Sequence, residues 1–389
     1  MVDDWLQNMD DMMVTGVCLL DIKKCFDTID HTILVQKLMK YGVSGLELAW
    51  FTSYLDNRGQ HVYCNNELSK IRTVNIGVPQ GSILGPVLFL VYVNDLSQNI
   101  SQGTCNLYAD DTLIYTHAKT VTEVNQRLQE CINEALIWYE LQNLCLNADK
   151  SHILLISSVK NQDVQMNDPL HVTLGDVILE QKENAKYLGV FIDEHLKWDK
   201  QFSTVCRNLG TKISRLRRLR GLVPRNVLNT ICKTCIFPSF DYACTVWGYS
   251  TIKNRNSIQR LQNYAARIVT SNFDYVNYRG IDIVKQLNWQ TFDDRLHYFT
   301  SLLMFKCIHG MVPSYLSDQV VMACDVHGVN TRLANSMNVV VPFARTKCFE
   351  NSLVYKGAVT WNQLPLHIKE ATSLNMFRNR YKRYFMNVK

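Results

Sequence analysis

Leu107–Tyr108–Ala109–Asp110–Asp111–Thr112–Leu113–Ile114–Tyr115 contains two short runs of strand-forming residues on either side of two acids. The pattern predicts a β-hairpin with Asp110 and Asp111 at its tip. Further back in the chain, the apolar run Val17–Leu20 predicts a buried strand that ends at Asp21. Each of the three acids therefore stands at or beside a strand end, where a rigid element can aim it.

The three acids suggest a site for divalent cations. Adjacent carboxylates repel each other, so one tends to stay protonated unless a positive charge is near. A cation resolves this conflict, and ligands that are all oxygen suit Mg²⁺. Two such ions about 4 Å apart suit phosphoryl transfer, which asks a protein mainly for positioning and charge compensation. An Asp-Asp pair in a turn is also common without function, and a single acid such as Asp21 is more often a helix cap or a surface acid. Spacing by itself does not establish that the three meet.

The pattern of elements changes along the chain. Up to about residue 200, strand and helix patterns are mixed, which is typical of an α+β fold. Asp30 and Thr120 stand where they can cap two of the helices. Beyond that point the sequence becomes mostly helical and basic. We therefore predict three regions, with limits at 1–200, 201–270 and 271–389.

The positive charge of the chain is unevenly distributed. The net charge of +6 is mild and permits a polyanionic partner without requiring one. Eight basic residues and no acidic residue lie within Cys206–Lys233. The eight are Arg207, Lys212, Arg215, Arg217, Arg218, Arg220, Arg225 and Lys233. The segment predicts a local basic surface, although runs of Lys and Arg are usually only solvated faces.

Cysteine usage and hydropathy indicate the setting of the protein. The 13 cysteines show no framework-like spacing, which is typical of reduced thiols in an intracellular protein. Cys232 and Cys235 form a C-x-x-C pair, but zinc needs two further ligands and no second pair is evident, so thiols packed in a helix are favoured. The longest aliphatic and aromatic run, Val87–Val93, is far shorter than the roughly 20 residues of a membrane span. We expect no membrane association.

Five stretches of the chain, in a fixed order, carry a family resemblance. They are Leu20–His31, Gly77–Pro86, Tyr108–Asp111, Leu146–Ser151 and Tyr187–Val190. Together they resemble the palm motifs of reverse transcriptases from non-LTR (LINE-type) retrotransposons, with jockey-like elements the most similar. The resemblance covers residues 1–200 strongly, and the tail is similar at Trp247–Gly248, Gln259–Val269 and Trp361–Pro365.

The resemblance implies a fold and a reaction. The fold is a right-hand polymerase palm, an antiparallel sheet with packed helices, followed by a basic helical thumb and a helical C-terminal region. The reaction is RNA-directed DNA synthesis from dNTPs on a DNA primer and an RNA template. Asp21 and Asp110 match the principal metal ligands and Asp111 the companion acid, with two Mg²⁺ ions as cofactors and Mn²⁺ as an alternative.

Further positions match parts of the family's nucleotide site. Phe26 matches the bulky residue under the incoming sugar, where a ring would clash with a 2′-hydroxyl; the alternative is an ordinary core aromatic. Gln80 and Gly81 match a loop that lies over the nucleotide and template, and a simple turn is the alternative. Lys150 matches a residue that can protonate the leaving pyrophosphate or offset its charge, although a solvated surface lysine is equally compatible.

Two more groups match parts that hold nucleic acid. The hairpin residues Tyr187, Leu188 and Gly189 match the grip on the primer end, and the alternative is a packed strand. The basic segment falls where the family has its thumb, so an arginine-lined helix would follow a phosphate backbone and bind in a salt-dependent way. The arginines concerned are Arg215, Arg217, Arg218 and Arg220.

The sequence also departs from the family pattern. Met1 stands only 20 residues before Asp21, so we expect the fingers region to be absent and the chain to be a fragment with exposed apolar surface.

The alternative function is a catalytically inactive transposon remnant that at most binds nucleic acid. A palm that copies RNA with rNTPs is disfavoured by Phe26. The compartment (nucleus or cytoplasmic ribonucleoprotein) and the oligomeric state stay open.

Overall fold

The computed structural model describes residues 1–158, 169–326 and 337–387. Contacts divide the chain into two compact units, one formed by Met12–Leu188 and the other by Met1–Asp11 together with Gly189–Lys389. The first unit mixes strands with helices and the second is almost entirely helical, which confirms the predicted α+β class and the helical second half. The functional limits predicted at residues 200 and 270 stay predictions.

The first unit is organised around a five-stranded sheet with the strand order β11-β8-β1-β7-β6. The central strand β1 pairs antiparallel with β7 and β8. Strand β6 forms a hairpin with β7, and β11 lies at the opposite edge, parallel to β8. Because β1 has a partner on each side and helices cover the sheet, its apolar sequence is buried. The strands of the sheet are β1 Val14–Leu20, β6 Thr104–Tyr108, β7 Asp111–Ala118, β8 His152–Ile156 and β11 Glu180–Gln181.

The remaining elements of this unit are short strands and four main helices. The helices are α2 His31–Lys40, α3 Gly45–Leu55, α4 Leu84–Val93 and α5 Val121–Leu141, with a 3₁₀ turn at Leu96–Asn99. The short strands are β2 Arg58–Gln60, β3 Tyr63–Cys64, β4 Glu67–Leu68, β5 Arg72–Val74, β9 Thr173–Leu174, β10 Val177–Ile178 and β12 Asn184–Tyr187. Both predicted caps are confirmed, since Asp30 accepts hydrogen bonds from Thr32 and Ile33 and Thr120 accepts one from Glu123.

Helix α5 packs closely against the sheet. It buries Val124, Leu128 and Trp138 at helical spacing. A Cβ at Gly16 would overlap the Val124 side chain, so the strand and the helix can approach this closely only with glycine at that position. This packing fixes β1, and with it the residue that follows the strand.

A buried lysine ties α2 to α4. Lys37 is 5% exposed, and its Nζ lies 2.6 Å from Asp95 Oδ1. The ammonium also donates to the carbonyl of Tyr92 and lies over the rings of Tyr92 and Trp138. Burial lowers the pKa of Lys37, while the hydrogen bond to Asp95 and its charge oppose this change.

Replacing Lys37 with alanine is expected to lower the free energy of unfolding by about 3 kcal/mol, because a half-buried carboxylate and a carbonyl lose their partner. The measurement is chemical denaturation followed by circular dichroism. Lys40→Ala, at an exposed position on the same helix, is the matched control and should change stability by less than about 0.5 kcal/mol. Equal losses for the two variants would contradict the structural role of Lys37.

The second unit is built from helices and one short strand, β13 Val190–Asp193. The helices are α1 Val2–Asp10, α6 Asp199–Leu219, α7 Arg225–Ile231, α8 Pro238–Asp241, α9 Cys244–Trp247, α10 Ile252–Thr270, α11 Gly280–Gln286, α12 Phe292–Ile308, α13 Ser314–Ser317, α14 Ala323–Val326, α15 Leu353–Asn362, α16 Leu366–Lys369 and α17 Leu374–Asn387. A π-helical turn spans Cys232–Ile236 and a 3₁₀ turn spans Phe349–Asn351.

Aromatic side chains form two clusters in the interior of this unit. Trp247 and Phe202 pack edge to face, and Phe292 lies against both of them. A second cluster near the C-terminus contains Trp361 and Phe377. In the part of the chain that the structure describes, no helix combines the length and apolar character needed to cross a membrane.

The first helix is anchored within the second unit by two aspartates. Asp3 accepts hydrogen bonds from the backbone N–H groups of Leu353 and Val354, at the start of α15. Asp10 accepts from the backbone N–H groups of Arg345 and Thr346. An acidic side chain at a helix N-terminus satisfies N–H groups that have no partner within the helix. The acidic N-terminal segment thus has a structural role.

Candidate active site

The ends of strands β1 and β7 bring Asp21 beside the predicted hairpin tip. The antiparallel register pairs Leu20 with Thr112. The residue after Leu20 therefore faces the residue before Thr112, which places Asp21 opposite Asp111. Asp111 in turn pairs with Tyr108 across the hairpin, which leaves Ala109 and Asp110 as the two-residue turn. The predicted hairpin with two acids at its tip is therefore present.

The electrostatics of the site couple the three carboxylates. Burial raises the pKa of Asp111, and the negative charges of Asp110 and Asp21 raise it further. Burial is also the main reason that the pKa of the Cys25 thiol is raised to about 11, with smaller contributions from Asp110 and Asp21. The thiol forms a hydrogen bond with Asp110. Asp21 and Asp110 therefore both lie close to Cys25 and to Asp111.

The coupled acids do not form a closed set of metal ligands in this conformation. Within residues 1–158, 169–326 and 337–387, no three His, Cys, Asp or Glu side chains lie close enough to hold a metal ion. The acids of the site nevertheless offer only carboxylate oxygens as donors, and the Cys25 thiol lies beside Asp110. The roles of Asp21, Asp110 and Asp111 as metal ligands stay predictions.

The segment that follows α5 holds Asp21 in position. Asn147 Nδ2 donates to Asp21 Oδ2 at 3.1 Å, and its backbone N–H donates to the Asp21 carbonyl at 2.8 Å. The backbone N–H of Asp21 donates to Ser151 Oγ at 3.1 Å. Lys150 Nζ lies 4.0 Å from Asp21 Oδ2, but the lysine is largely exposed, so this ion pair contributes little to stability.

Sequence reasoning did not assign the contacts of Asn147 and Ser151 to Asp21. These residues belong to the matched stretch Leu146–Ser151, so the family resemblance indicates that this stretch lies near the site. Within this stretch, the resemblance implies a role for Lys150 only. Because the hydrogen bonds span 126 and 130 residues along the chain, no local pattern indicates them.

The loop that contains Gln80 lies against the segment after Asp21. Val78 N–H donates to the carbonyl of Phe26 at 2.8 Å, and Gln80 Nε2 donates to Asp27 Oδ1 at 2.9 Å. The Phe26 ring is half-buried, with its centroid 4.9 Å from that of Phe89. The structure therefore brings the predicted nucleotide-site residues Phe26 and Gln80 into one local cluster.

Two glycines allow the conformation of this loop. Gly77 has φ of +83°, and a Cβ there would lie 2.8 Å from the backbone oxygen of Asp27. Gly81 has φ of +79°, but a Cβ there would have open space around it. Gly77 therefore provides close backbone approach within the loop, whereas Gly81 leaves an exposed backbone that another molecule can approach.

The predicted primer-grip residues form a break between two strands. β12 ends at Tyr187 and β13 begins at Val190, because Leu188 and Gly189 both adopt positive φ, at +46° and +82°. The alternative of a packed strand through Tyr187, Leu188 and Gly189 is wrong, because the chain turns between the two strands. Tyr187 is buried, and burial followed by the charge of Asp111 raises the pKa of its hydroxyl to about 12. Tyr187 therefore lies close to Asp111.

The predicted basic helix is α6. It buries Phe202, Val205, Leu209, Ile213 and Leu216 along one face. Arg215, Arg217, Arg218 and Arg220 are all exposed, and the guanidinium of Arg220 also lies 4.7 Å from the centre of the Phe273 ring. This arrangement fits both a nucleic-acid surface and an ordinary solvated face, so the binding role stays a prediction.

A mixed sheet with acids on neighbouring strand ends, backed by helices, defines a palm-like catalytic domain. Residues 6–192 match the family described as Reverse transcriptase (RNA-dependent DNA polymerase). The ordered motifs predicted this match, which covers the palm-like part of the chain.

Several curated proteins of transposable elements are similar to the chain. A probable RNA-directed DNA polymerase from transposon BS of Drosophila melanogaster is 28% identical over 76% of this chain and 33% of its own length. The RNA-directed DNA polymerase from mobile element jockey of the same organism is 27% identical over 71% of this chain and 31% of its own length. The predicted resemblance to jockey-like elements is confirmed. The chain spans about one third of the length of these relatives.

Several solved structures of telomerases show partial similarity to the chain. Telomerase from Candida tropicalis, in complex with a TWJ fragment of telomeric RNA, is 11% identical with a TM-score of 0.40, covering 98% of this chain and 51% of the telomerase. Telomerase from Candida albicans, also with a TWJ fragment of telomeric RNA, is 14% identical with a TM-score of 0.37, covering 76% of this chain and 54% of that one.

Proposed function

We propose that this chain catalyses RNA-templated DNA synthesis, in which a nucleotide passes from a dNTP to the 3′-hydroxyl of a DNA primer and pyrophosphate leaves. The observation that carries the proposal is the electrostatic coupling of Asp21, Asp110 and Asp111 at neighbouring strand ends of a reverse transcriptase domain. Phosphoryl transfer needs positioned charge more than covalent chemistry, and fixed carboxylates on a sheet are suited to provide it.

Asp21 and Asp110 are the proposed principal ligands of two Mg²⁺ ions, with Asp111 as the companion acid and Mn²⁺ as an alternative ion. The residues fit such ions because their donors are carboxylate oxygens. Burial is the main reason that the pKa of Asp111 is raised, and the negative charges of Asp110 and Asp21, which a cation offsets, raise it further. Bound ions would compensate phosphate charge and activate the primer hydroxyl. Asn147 and Ser151 keep Asp21 oriented through their hydrogen bonds.

Phe26 and the loop that contains Gln80 and Gly81 form the proposed nucleotide site. Phe26 would lie under the sugar of the incoming nucleotide, with Phe89 packed behind it. Gln80 and Gly81 would lie over the nucleotide and template, and the hydrogen bond from Gln80 to Asp27 supports that loop. Lys150 is exposed near Asp21, where a cationic side chain could give a proton to pyrophosphate or offset its charge.

Replacing Phe26 with valine is expected to reduce the preference for dNTP over rNTP by about tenfold or more, because the steric conflict with a 2′-hydroxyl is removed. The measurement is the ratio of kcat/KM values for dCTP and CTP in single-nucleotide primer extension. Phe89→Leu is the control, since it loosens the packing behind Phe26 but keeps the ring at position 26. An unchanged ratio in a folded, active Phe26→Val variant would contradict the assigned role.

RNA template and DNA primer are the proposed macromolecular partners. Tyr187, Leu188 and Gly189 form the proposed primer grip, which the position of Tyr187 close to Asp111 supports. The exposed arginines of α6, together with Arg220 directly after the helix, form the proposed backbone-binding surface, because Arg side chains contact phosphates in pairs of hydrogen bonds. The four are Arg215, Arg217, Arg218 and Arg220.

The test is primer extension by the purified chain on an RNA template with a labelled DNA primer. We expect extension that needs the RNA template and Mg²⁺, stops when EDTA is added, and halts at the complementary template base when one dNTP is omitted. Salt-sensitive RNA binding without any incorporation would contradict the proposal and favour a non-catalytic remnant.

A further inference from the structure

A cleft of about 700 Å³ lies within the helical unit formed by residues 1–11 and 189–389. Its walls come from the π-helical turn, from α11 and the residues after it, from α12, and from α17. The volume is within the range of ordinary ligand sites. All of its lining residues lie between residues 233 and 385, whereas the carboxylates of the candidate active site belong to the other unit.

Positive charge surrounds the cleft. Lys233, Lys285, Arg378 and Lys382 line it and are exposed, and the lining contains no acidic residue. Arg295, the remaining cation of the lining, is paired with Asp241. Within the described part of the chain, no ion pair is formed by any of the other four. The four charges come from three separate elements, so one helix face does not account for them.

Two acids lie near the lining residues in the sequence. Asp282 forms an ion pair with Arg279 and also acts electrostatically on Lys285, while Asp294 closes the capping box of α12 with Thr291. Neither is part of the cleft lining. The local field in the cleft is therefore positive, which favours an anionic occupant.

Helix α17 supports the same conclusion. Arg378 and Lys382 are four residues apart, so they project from one face of the helix and repel each other. The described part of α17 contains four basic residues, Arg378, Arg380, Lys382 and Arg383, and no acidic one. Like charges at this spacing cost helix stability about 0.2–0.5 kcal/mol per pair, and an anion between them removes that cost.

Aromatic rings complete the lining. Tyr298 and Phe385 are half-buried at the cleft, and the lining also contains the buried rings of Trp289 and Phe237, which pack edge to face with each other. A simple phosphate site has no need of such rings, and a membrane surface does not enter a concave cleft. Rings beside fixed cations are typical of sites for unpaired nucleotides, where bases stack and phosphates meet Lys or Arg.

We propose that this cleft binds a single-stranded segment of nucleic acid. Lys233, Lys285, Arg378 and Lys382 contact its phosphates, and a base stacks on Tyr298 or Phe385. Base-paired nucleic acid hides its base faces, so the site favours unpaired strands. The inference does not depend on polymerase activity, because the residues and the binding chemistry are separate from those of the three carboxylates.

The first test measures binding of a fluorescent oligouridylate to the full chain over a series of salt concentrations. Arg378→Gln with Lys382→Gln is expected to weaken binding at least tenfold and to reduce the slope of log K against log salt by about 1.4, or about 0.7 for each lost phosphate contact. The matched control is Lys253→Gln with Lys347→Gln, which removes two exposed charges outside the cleft. Equal effects of the two double variants would overturn the proposal.

The second test locates the strand, because other surfaces of a reverse transcriptase also bind nucleic acid. RNA containing 5-iodouridine is crosslinked to the chain and the attached peptides are identified by mass spectrometry. We expect crosslinks at Tyr298 or Phe385, and their loss in Phe385→Leu with Tyr298→Leu, with the thermal unfolding midpoint as a check on folding. Crosslinks confined to other regions, or equal competition by duplex DNA, would overturn the proposal. Primer extension on a short template reports separately on the proposed polymerase function.

Discussion

Asp110→Asn is expected to reduce primer extension about a thousand-fold or more, which corresponds to about 4 kcal/mol of transition-state stabilisation. The amide has nearly the shape of the carboxylate but carries no charge, so a divalent cation loses an anionic ligand while packing is preserved. Asp110 is exposed at the hairpin tip, and we therefore expect thermal unfolding to change little. The measurement is the rate of single-nucleotide addition on an RNA template.

The matched control for this variant is Asp176→Asn. Asp176 is also exposed, lies in the same unit, and follows Gly175 in the turn between β9 and β10. Its loss should leave the rate unchanged within about twofold, since surface charges act weakly at a distance in salt. Activity that survives Asp110→Asn, or falls equally in both variants, would contradict the assigned mechanism.

Gly77→Ala is expected to lower the free energy of unfolding by about 2 to 4 kcal/mol, because strain and a steric clash occur together. Its φ of +83° is unfavourable for alanine, and the new Cβ would lie 2.8 Å from the backbone oxygen of Asp27. The backbone of Asp27 is held by hydrogen bonds in the surrounding segment, including the bond from Val78 N–H to the Phe26 carbonyl, so it cannot move freely. Urea denaturation gives the measurement.

Gly81→Ala separates the two causes. Gly81 has nearly the same φ, +79°, but a Cβ there meets no atom within 4 Å. Only the conformational penalty remains, so the expected loss is about 1 kcal/mol. Equal losses at positions 77 and 81 would show that the loop does not pack against Asp27 as the structure has it.

Much of the palm-like unit follows from local sequence. The apolar run before Asp21 predicts β1, and the alternation around Asp110 and Asp111 predicts the β6–β7 hairpin; both are present. The caps at Asp30 and Thr120 mark helix starts correctly, because capping depends on residues only two or three positions away. Family motifs add the order of these elements, which spacing alone does not provide.

Features that depend on distant contacts were not predictable in this way. Lys37 looks like one of several lysines in an amphipathic helix, yet it is buried by residues of α4 and α5 more than 50 positions away. Asn147 gains its position only because α5 returns the chain to the end of β1. The acidic N-terminal segment carries no sign that Asp3 and Asp10 bond to backbone some 335 to 351 positions later.

The turn at Leu188 and Gly189 shows a different limit to the prediction of structure from local sequence. The apolar character of Tyr187–Ile192 predicts a strand, and a non-glycine residue at positive φ is unusual enough that local propensity argues against it. Leu188 nevertheless adopts φ of +46°. Tertiary packing around buried Tyr187 and Val190 determines the conformation here, and it overrides the local preference.

The most direct measurement is anomalous diffraction from crystals of the chain soaked with Mn²⁺, which replaces Mg²⁺ in oxygen-ligand sites and scatters strongly. We expect anomalous peaks about 2.1 Å from carboxylate oxygens of both Asp21 and Asp110. Peaks elsewhere on the chain would contradict the proposed metal site. So would an Asp21 carboxylate that lies far from the Asp111 carboxylate, well beyond the about 4–6 Å over which one charge shifts the pKa of its neighbour.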